Sequence, residues 1–177
     1  MPEPPHSVDP VQLGAYFALV EVSDLLRYAI EQQLREAGGL TFVRFQILMR
    51  LRLSPTGSHR MTDLADAIVH SRSGLTYQAG LLEKAGLIAR APSLKDERAT
   101  LVTITENGLA LFGRVLPGHI QVIRRLLFDT LTDDDLYHLG DILTRVRDHM
   151  RAKPPRSAAP RKRRPGPTSP PPAGTQT

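Results

Sequence analysis

The sequence predicts a mainly α-helical fold with a small β-hairpin wing: a winged helix-turn-helix flanked by N- and C-terminal dimerisation helices. Three observations predict it. Apolar residues recur at three- and four-residue steps over two long terminal stretches, which is helical spacing. In the middle of the chain two short helical segments are separated only by His70-Ser71-Arg72, a helix-turn-helix arrangement. The period then changes to that of two short strands joined by a charged loop.

Each element follows from local chemistry. Residues 1–10 carry Pro2, Pro4, Pro5 and Pro10 and read as a flexible N-terminus, with Pro10 suited to a first helical turn. Leu19, Val22, Leu26, Ile30 and Leu34 mark one amphipathic helix over 11–37, ended by Gly38-Gly39. Thr41 caps a second helix carrying Phe45 and Leu48, and Ser54-Pro55-Thr56-Gly57 breaks it. Thr62 is expected to cap a short helix over 63–69, and another is expected over 73–85, closed by Gly86. Strands are expected at 87–90 and 99–104, with 92–98 as loop. Thr105 caps a long helix in which Pro117-Gly118 predicts an interruption. Thr132 before Asp133-Asp134-Asp135 is a helix start, since negative charge suits the positive end of the helix dipole. The last helix repeats Leu136, Leu139, Leu143, Val146 and Met150 as an a/d-type seam. The winged helix then occupies 41–105, and the dimerisation helices 11–37 and 106–150.

Beyond residue 150 the composition changes. Residues 151–177 hold eight prolines, seven cations and no acid, and read as a disordered basic tail. The tail leaves 16 basic against 18 acidic residues in 1–150, so the high pI belongs to it and not to the folded body. The cluster Arg161-Lys162-Arg163-Arg164 either adds affinity for the DNA backbone or serves as a solubilising extension.

Several classes are excluded. There is no cysteine, hence no disulfide framework, zinc–thiolate site or thiol switch. No apolar run approaches bilayer length, and Met1–Pro10 is no secretory signal, so a soluble cytoplasmic protein without membrane partners is expected. The six histidines form no close pair at metal-ligand spacing, and no metal or cofactor is expected. No Ser/His/Asp arrangement, phosphate loop or paired carboxylate supports an enzyme.

The second helix of the central pair is the candidate for a DNA major groove. On its wheel Leu75, Ala79 and Leu82 face the core, while Ser73, Tyr77, Gly80 and Lys84 face away and Thr76 and Arg72 lie on a flank. No acid occurs in 67–82. Ser71, Arg72 and Ser73 at the helix start form a phosphate anchor, and Thr76, Tyr77 and Gln78 are the base-reading candidates. Tyr77 meets either a thymine methyl or a phosphate. Lys95 and Arg98 in the charged loop are further cations, and Arg98 suits a narrow minor groove.

Read in order, Thr62-Asp63-Leu64-Ala65, Ser73-Gly74-Leu75-Thr76, Leu82-Glu83-Lys84-Ala85-Gly86-Leu87-Ile88-Ala89-Arg90, Lys95-Asp96-Glu97-Arg98 and Val102-Thr103-Ile104-Thr105-Glu106-Asn107-Gly108 resemble the MarR family of bacterial transcriptional regulators, over roughly 11–150. The resemblance implies a homodimer whose terminal helices interlock and whose two winged helices read a pseudo-palindromic operator in duplex DNA, as a ligand-responsive repressor. It implies that Asp96 braces the wing while Arg98 enters the minor groove, and that Thr76 faces DNA. The family often carries Arg after that Thr; here the residue is Tyr77, which changes the expected base preference. A small aromatic or anionic effector is the implied ligand. Tyr16, Phe17, Phe42 and Phe45 either line its cleft or are core. Two other classes remain: a winged helix used for protein–protein contact, and a non-specific DNA binder driven by the tail.

Overall fold

Leu34, Phe45, Leu48, Leu75 and Val102, far apart in the sequence, are shielded completely from solvent and meet in one core. The computed structural model describes residues 9–68, 70–93 and 96–152. Helix α1 (Pro10–Gly38) starts at Asp9, whose carboxylate accepts from the Val11 N–H at 2.9 Å, and stops where Gly39 turns left-handed at φ 63°. Only its C-terminal part enters the core, through Ile30 and Leu34; every residue of 10–25 is exposed. Helix α2 (Phe42–Leu53) is capped by Thr41 and buries Phe45, Ile47, Leu48 and Leu51.

A short strand β1 (Ser58–Arg60) follows, then α3 (Met61–Ile68) and α4 (Arg72–Lys84). Strands β2 (Ile88–Ser93) and β3 (Asp96–Ile104) form the hairpin, and the antiparallel sheet runs in the order β1-β3-β2. Helix α5 (Glu106–Leu126) is capped by Thr105, whose hydroxyl accepts from Gly108 N–H at 3.1 Å and donates to the Gly86 carbonyl at 2.7 Å. A 3-10 turn over Phe128–Thr130 leads to α6 (Asp133–Ala152). There Thr132 and Asp135 cap each other: Asp135 N–H reaches the Thr132 hydroxyl at 3.2 Å and Thr132 N–H reaches the Asp135 carboxylate at 3.0 Å. The Thr132 hydroxyl also donates to that carboxylate at 2.6 Å, and this bond, with the one from the Thr132 N–H, holds the Asp135 carboxyl below the usual carboxylate range.

Four local expectations are corrected. Strand β1 was not anticipated; three residues of an edge strand carry too little apolar pattern to register. Thr62 lies within the first turn of α3, which begins one residue earlier, at Met61. The hairpin strands reach further than 87–90 and 99–104, so Asp96 and Arg98 lie on β3 rather than in a loop. Helix α5 runs through Pro117 without a break. Proline removes one N–H, but α1 packs along this helix, where the Gln33 amide donates to the Val115 carbonyl at 3.3 Å.

At the same junction His119 is 7% exposed, its ring lies 4.4 Å from the Phe45 ring centre, and its Nδ1 has no hydrogen-bond partner. Burial pushes its pKa below the ordinary histidine value. The folded chain therefore binds fewer protons than the unfolded chain once pH falls below about 6.5, and stability drops from there until the folded pKa is reached. Thermal melts between pH 7.5 and 5.5 are expected to show a decline that is shallower in His119→Leu. Parallel declines in the two proteins would remove His119 as the cause.

Candidate nucleic-acid interface

The core-facing side chains of α4 are Leu75, Ala79 and Leu82, all buried. Burying each contributes about 1.5–3 kcal/mol for the leucines, and this fixes which face turns outward. Ser71, Arg72, Ser73, Thr76, Tyr77 and Lys84 are exposed; Tyr77 shows 65% of its surface.

The helix start is open to an anion. Ser71 is the cap, its hydroxyl accepting from Gly74 N–H at 3.2 Å. The first intrahelical bond runs from Leu75 N–H to the Ser71 carbonyl at 2.8 Å, so the N–H groups of Arg72 and Ser73 precede the ladder. With the positive end of the helix dipole, the Arg72 cation and no acid in 67–82, this end attracts phosphate.

The base-reading candidates differ in what they offer. The Thr76 hydroxyl donates to the Arg72 carbonyl at 2.8 Å, which leaves its methyl and its acceptor lone pairs outward. Tyr77 is free of hydrogen bonds among the described residues and projects its phenol. Gln78 is half-buried, and its Oε1 accepts from Arg44 Nε at 2.9 Å, tying α4 to the first turn of α2. Sequence reasoning missed Arg44, because nothing in linear spacing relates positions 34 apart. Lys95 lies outside the described residues, as do the side chains of Asp96 and Arg98; residues 1–8 and 153–177, including the basic cluster at 161–164, lie outside them too.

A second unforeseen feature joins α4 to the wing. Arg90 on β2 pairs with Glu83 on α4 through both Nε and Nη2, the former at 2.8 Å. The guanidinium holds the Glu83 carboxyl below its ordinary range. This pair ties the C-terminal part of α4 to the first strand of the hairpin. The pair is partly exposed, so its contribution to global stability is small. Arg90→Met is expected to melt within a few degrees of the parent yet, if this face binds duplex DNA, to bind it roughly tenfold more weakly, the equivalent of about 1.4 kcal/mol. Fluorescence anisotropy on a fixed duplex checks it, and equal affinities would show that the pair does not set the wing.

The four aromatic ligand candidates do not form one cluster. Tyr16 and Phe17 are both 58% exposed, and their rings meet at a tilt with centres 5.4 Å apart. Phe42 is half-buried beneath the Arg27 guanidinium at 5.8 Å. Phe45 is wholly buried and stacks on Phe112 at 5.5 Å. A shallow groove of about 560 Å³ is lined by Pro117, Ile120, Gln121, Arg124, Arg125 and Asp129, and none of the four aromatics borders it. Among the described residues no group of His, Asp or Glu is arranged to hold a metal ion, and no helix is long and apolar enough to cross a membrane.

Residues 38–99 match the sequence profile of the MarR family. The chain is 32% identical to AbsC, a MarR family transcriptional regulator from Streptomyces coelicolor, over 84% of this chain and 100% of that one, with a TM-score of 0.79. It is 28% identical to Sco3205, a MarR family regulator from the same organism solved in complex with DNA, covering 86% of this chain and 94% of that one, again with a TM-score of 0.79. PecS, an HTH-type transcriptional regulator of Dickeya dadantii (strain 3937), is 30% identical over 89 residues, which are 50% of this chain and only about half (53%) of PecS.

Proposed function

The chain belongs to the MarR family of DNA-binding transcriptional regulators, and from that premise we propose that it acts as a homodimeric, ligand-responsive repressor of a pseudo-palindromic operator. One observation carries the reading: α4 presents an acid-free, polar outer face and an open N-terminus directly beside a two-stranded wing. Phosphate contacts by Ser71, Arg72, Ser73 and Lys84 supply affinity, and Thr76, Tyr77 and Gln78 supply base preference. Gln78 is clamped by Arg44, so Tyr77 and the Thr76 methyl are the main readers. Asp96 braces the wing, and Lys95 and Arg98 meet the DNA from it, Arg98 in the minor groove.

The dimer follows from what the single chain leaves bare. The outward apolar side chains of α1 and of the α6 seam, Phe17 and Val146 among them, face solvent. Paired winged helices then address half-sites about 34 Å apart. A small aromatic or anionic effector, met by aromatics such as Tyr16 and Phe17, shifts the population between two dimer geometries that differ in recognition-helix spacing.

Selection of bound duplexes from a random pool, using the full chain, tests this. Enrichment of an inverted repeat with half-sites about one helical turn apart is the expected result. Enrichment of no motif, or of an unrepeated one, would overturn it.

A further inference from the structure

We propose that Arg44, on α2, is a further DNA contact of this chain: it meets a backbone phosphate on the flank of α4 opposite the wing, with Gln78 holding its guanidinium in place; the inference rests on the DNA-reading role of α4. The helix wheel sets the geometry. Gln78 and Glu83 are five positions apart on α4, so at about 100° per residue their side chains leave the helix roughly 140° apart. The buried set Leu75, Ala79 and Leu82 lies between them on the inner side, and the exposed set Ser73, Tyr77 and Lys84 lies between them on the outer side. Glu83 holds Arg90 of β2, and Gln78 holds Arg44 of α2. The outward face of α4 is therefore bracketed by the wing on one flank and by Arg44 on the other.

The Arg44 guanidinium has donors to spare. Its Nε donates to Gln78 Oε1 at 2.9 Å, and its two terminal nitrogens make no hydrogen bond or ion pair among the described residues. Those nitrogens reach solvent: the side-chain polar atoms that are both buried and unpartnered among the described residues are Gln33 Oε1 and His119 Nδ1. An arginine carries its N–H groups in a planar fork, and the end left open here matches the two oxygens of one phosphate. No acid nearby in either segment competes for it, since residues 37–62 and 67–82 contain neither Asp nor Glu. Helix stability does not account for the placement. Arg44 sits in the first turn of α2, where the dipole repels a cation, and a neutral donor would serve Gln78 as well.

A helix in the major groove lies between two walls of phosphate about 12 Å apart. With α4 in the groove and the wing reaching past one wall, Arg44 stands at the other. A contact there adds affinity and salt dependence. Gln78 is its positioning residue: the bond orders a long, flexible side chain before DNA arrives, which lowers the entropy lost on contact.

The test compares the full chain with Arg44→Met, Gln78→Met and the double variant, all titrated on the operator that the parent selects. Methionine keeps an unbranched stem at both positions while removing the charge or the acceptor, and all three variants are expected to melt within a few degrees of the parent. Arg44→Met is expected to bind roughly tenfold more weakly per bound subunit. Its slope of log K against log[salt] is expected to be shallower by about 0.9 per subunit, the value of one phosphate contact. Ethylation of the phosphates is expected to block the parent at a position on the side of each half-site away from the wing, and to have no effect there on Arg44→Met. Gln78→Met is expected to cost less affinity in the Arg44→Met background than in the parent, because the bond it removes is already gone. Equal slopes for the parent and Arg44→Met, or the same ethylation pattern, would overturn the contact. Equal costs of Gln78→Met in the two backgrounds would overturn the positioning role. A parent with no blocking phosphate on that side would overturn the inference whether or not the variants fold. Failure of the parent to select any motif would instead overturn the reading of α4, and is thereby told apart.

Discussion

Gly108→Ala is expected to be among the most destabilising single-methyl substitutions in this chain. A Cβ at Gly108 would sit 2.1 Å from the Leu87 carbonyl oxygen and 2.9 Å from Ile104 Cγ1. The first obstacle is backbone, in the turn that leads from α4 to the wing, and cannot swing aside as a side chain does. The Thr105 hydroxyl meanwhile holds the start of α5 against the Gly86 carbonyl and accepts from Gly108 itself, so α5 cannot slide away without losing its cap. Overpacking of this kind costs about 3 kcal/mol, offset by about 1 kcal/mol gained from alanine's better helix propensity. The net loss of about 2 kcal/mol corresponds to roughly 4–8 °C in Tm for a chain of this size. Gly113→Ala in the same helix is the control: nothing lies within 4 Å of its would-be Cβ. A Gly108→Ala melt that matches Gly113→Ala would show that the α4–β2 turn yields freely.

Placing two charges in the α6 seam, Leu143→Glu with Val146→Glu, is expected to separate the proposed dimer into folded monomers and to lower affinity for the proposed operator at least 100-fold. Leu143 is 41% and Val146 47% exposed, and α6 contributes no buried residue to the core of its own chain. The substitutions therefore leave the winged helix intact, and its far-ultraviolet circular dichroism and melting are expected to stay near those of the parent. What is lost is the coupling of two half-sites, which raises apparent affinity by about 10²–10⁴. Sedimentation velocity reports the assembly state, and anisotropy on the operator reports binding. A variant that becomes monomeric and still binds with parental affinity would end the two-half-site account. A variant that stays dimeric would move the interface away from this seam.

The parts of this molecule legible in the sequence were those governed by neighbours a few residues apart. Thr41, Thr105 and Thr132 could be read as caps because a hydroxyl and the N–H it accepts from are three residues apart. The core face of α4 was legible because Leu75, Ala79 and Leu82 repeat at helical steps. Strand β1 was not, since it exists only as a partner for β3, with Ser58 opposite Thr103. The unbroken course of α5 through Pro117, along which α1 packs, was not legible either, since a proline inside a helical pattern reads locally as a break. The same division runs through the interface. The outward set of Ser73, Tyr77 and Lys84 came from the wheel alone. The Arg44–Gln78 clamp did not, and it changes what Gln78 can offer DNA. The Glu83–Arg90 pair lay within the quoted motif, but its role needs the turn at Gly86 to bring helix and strand together.

The bare apolar length of α1 also bears on how the molecule is produced. Residues 10–25 leave the ribosome ahead of the rest of the described chain, and among the described residues every one of them stays exposed. If the chain pairs as proposed, a nascent subunit carries an adhesive leading segment until a sister chain arrives. Pairing is bimolecular, so its rate falls with the square of subunit concentration, while capture by chaperones and proteases does not. Removal of unpaired chains would then make the pool of active regulator respond more steeply than linearly to changes in its own expression.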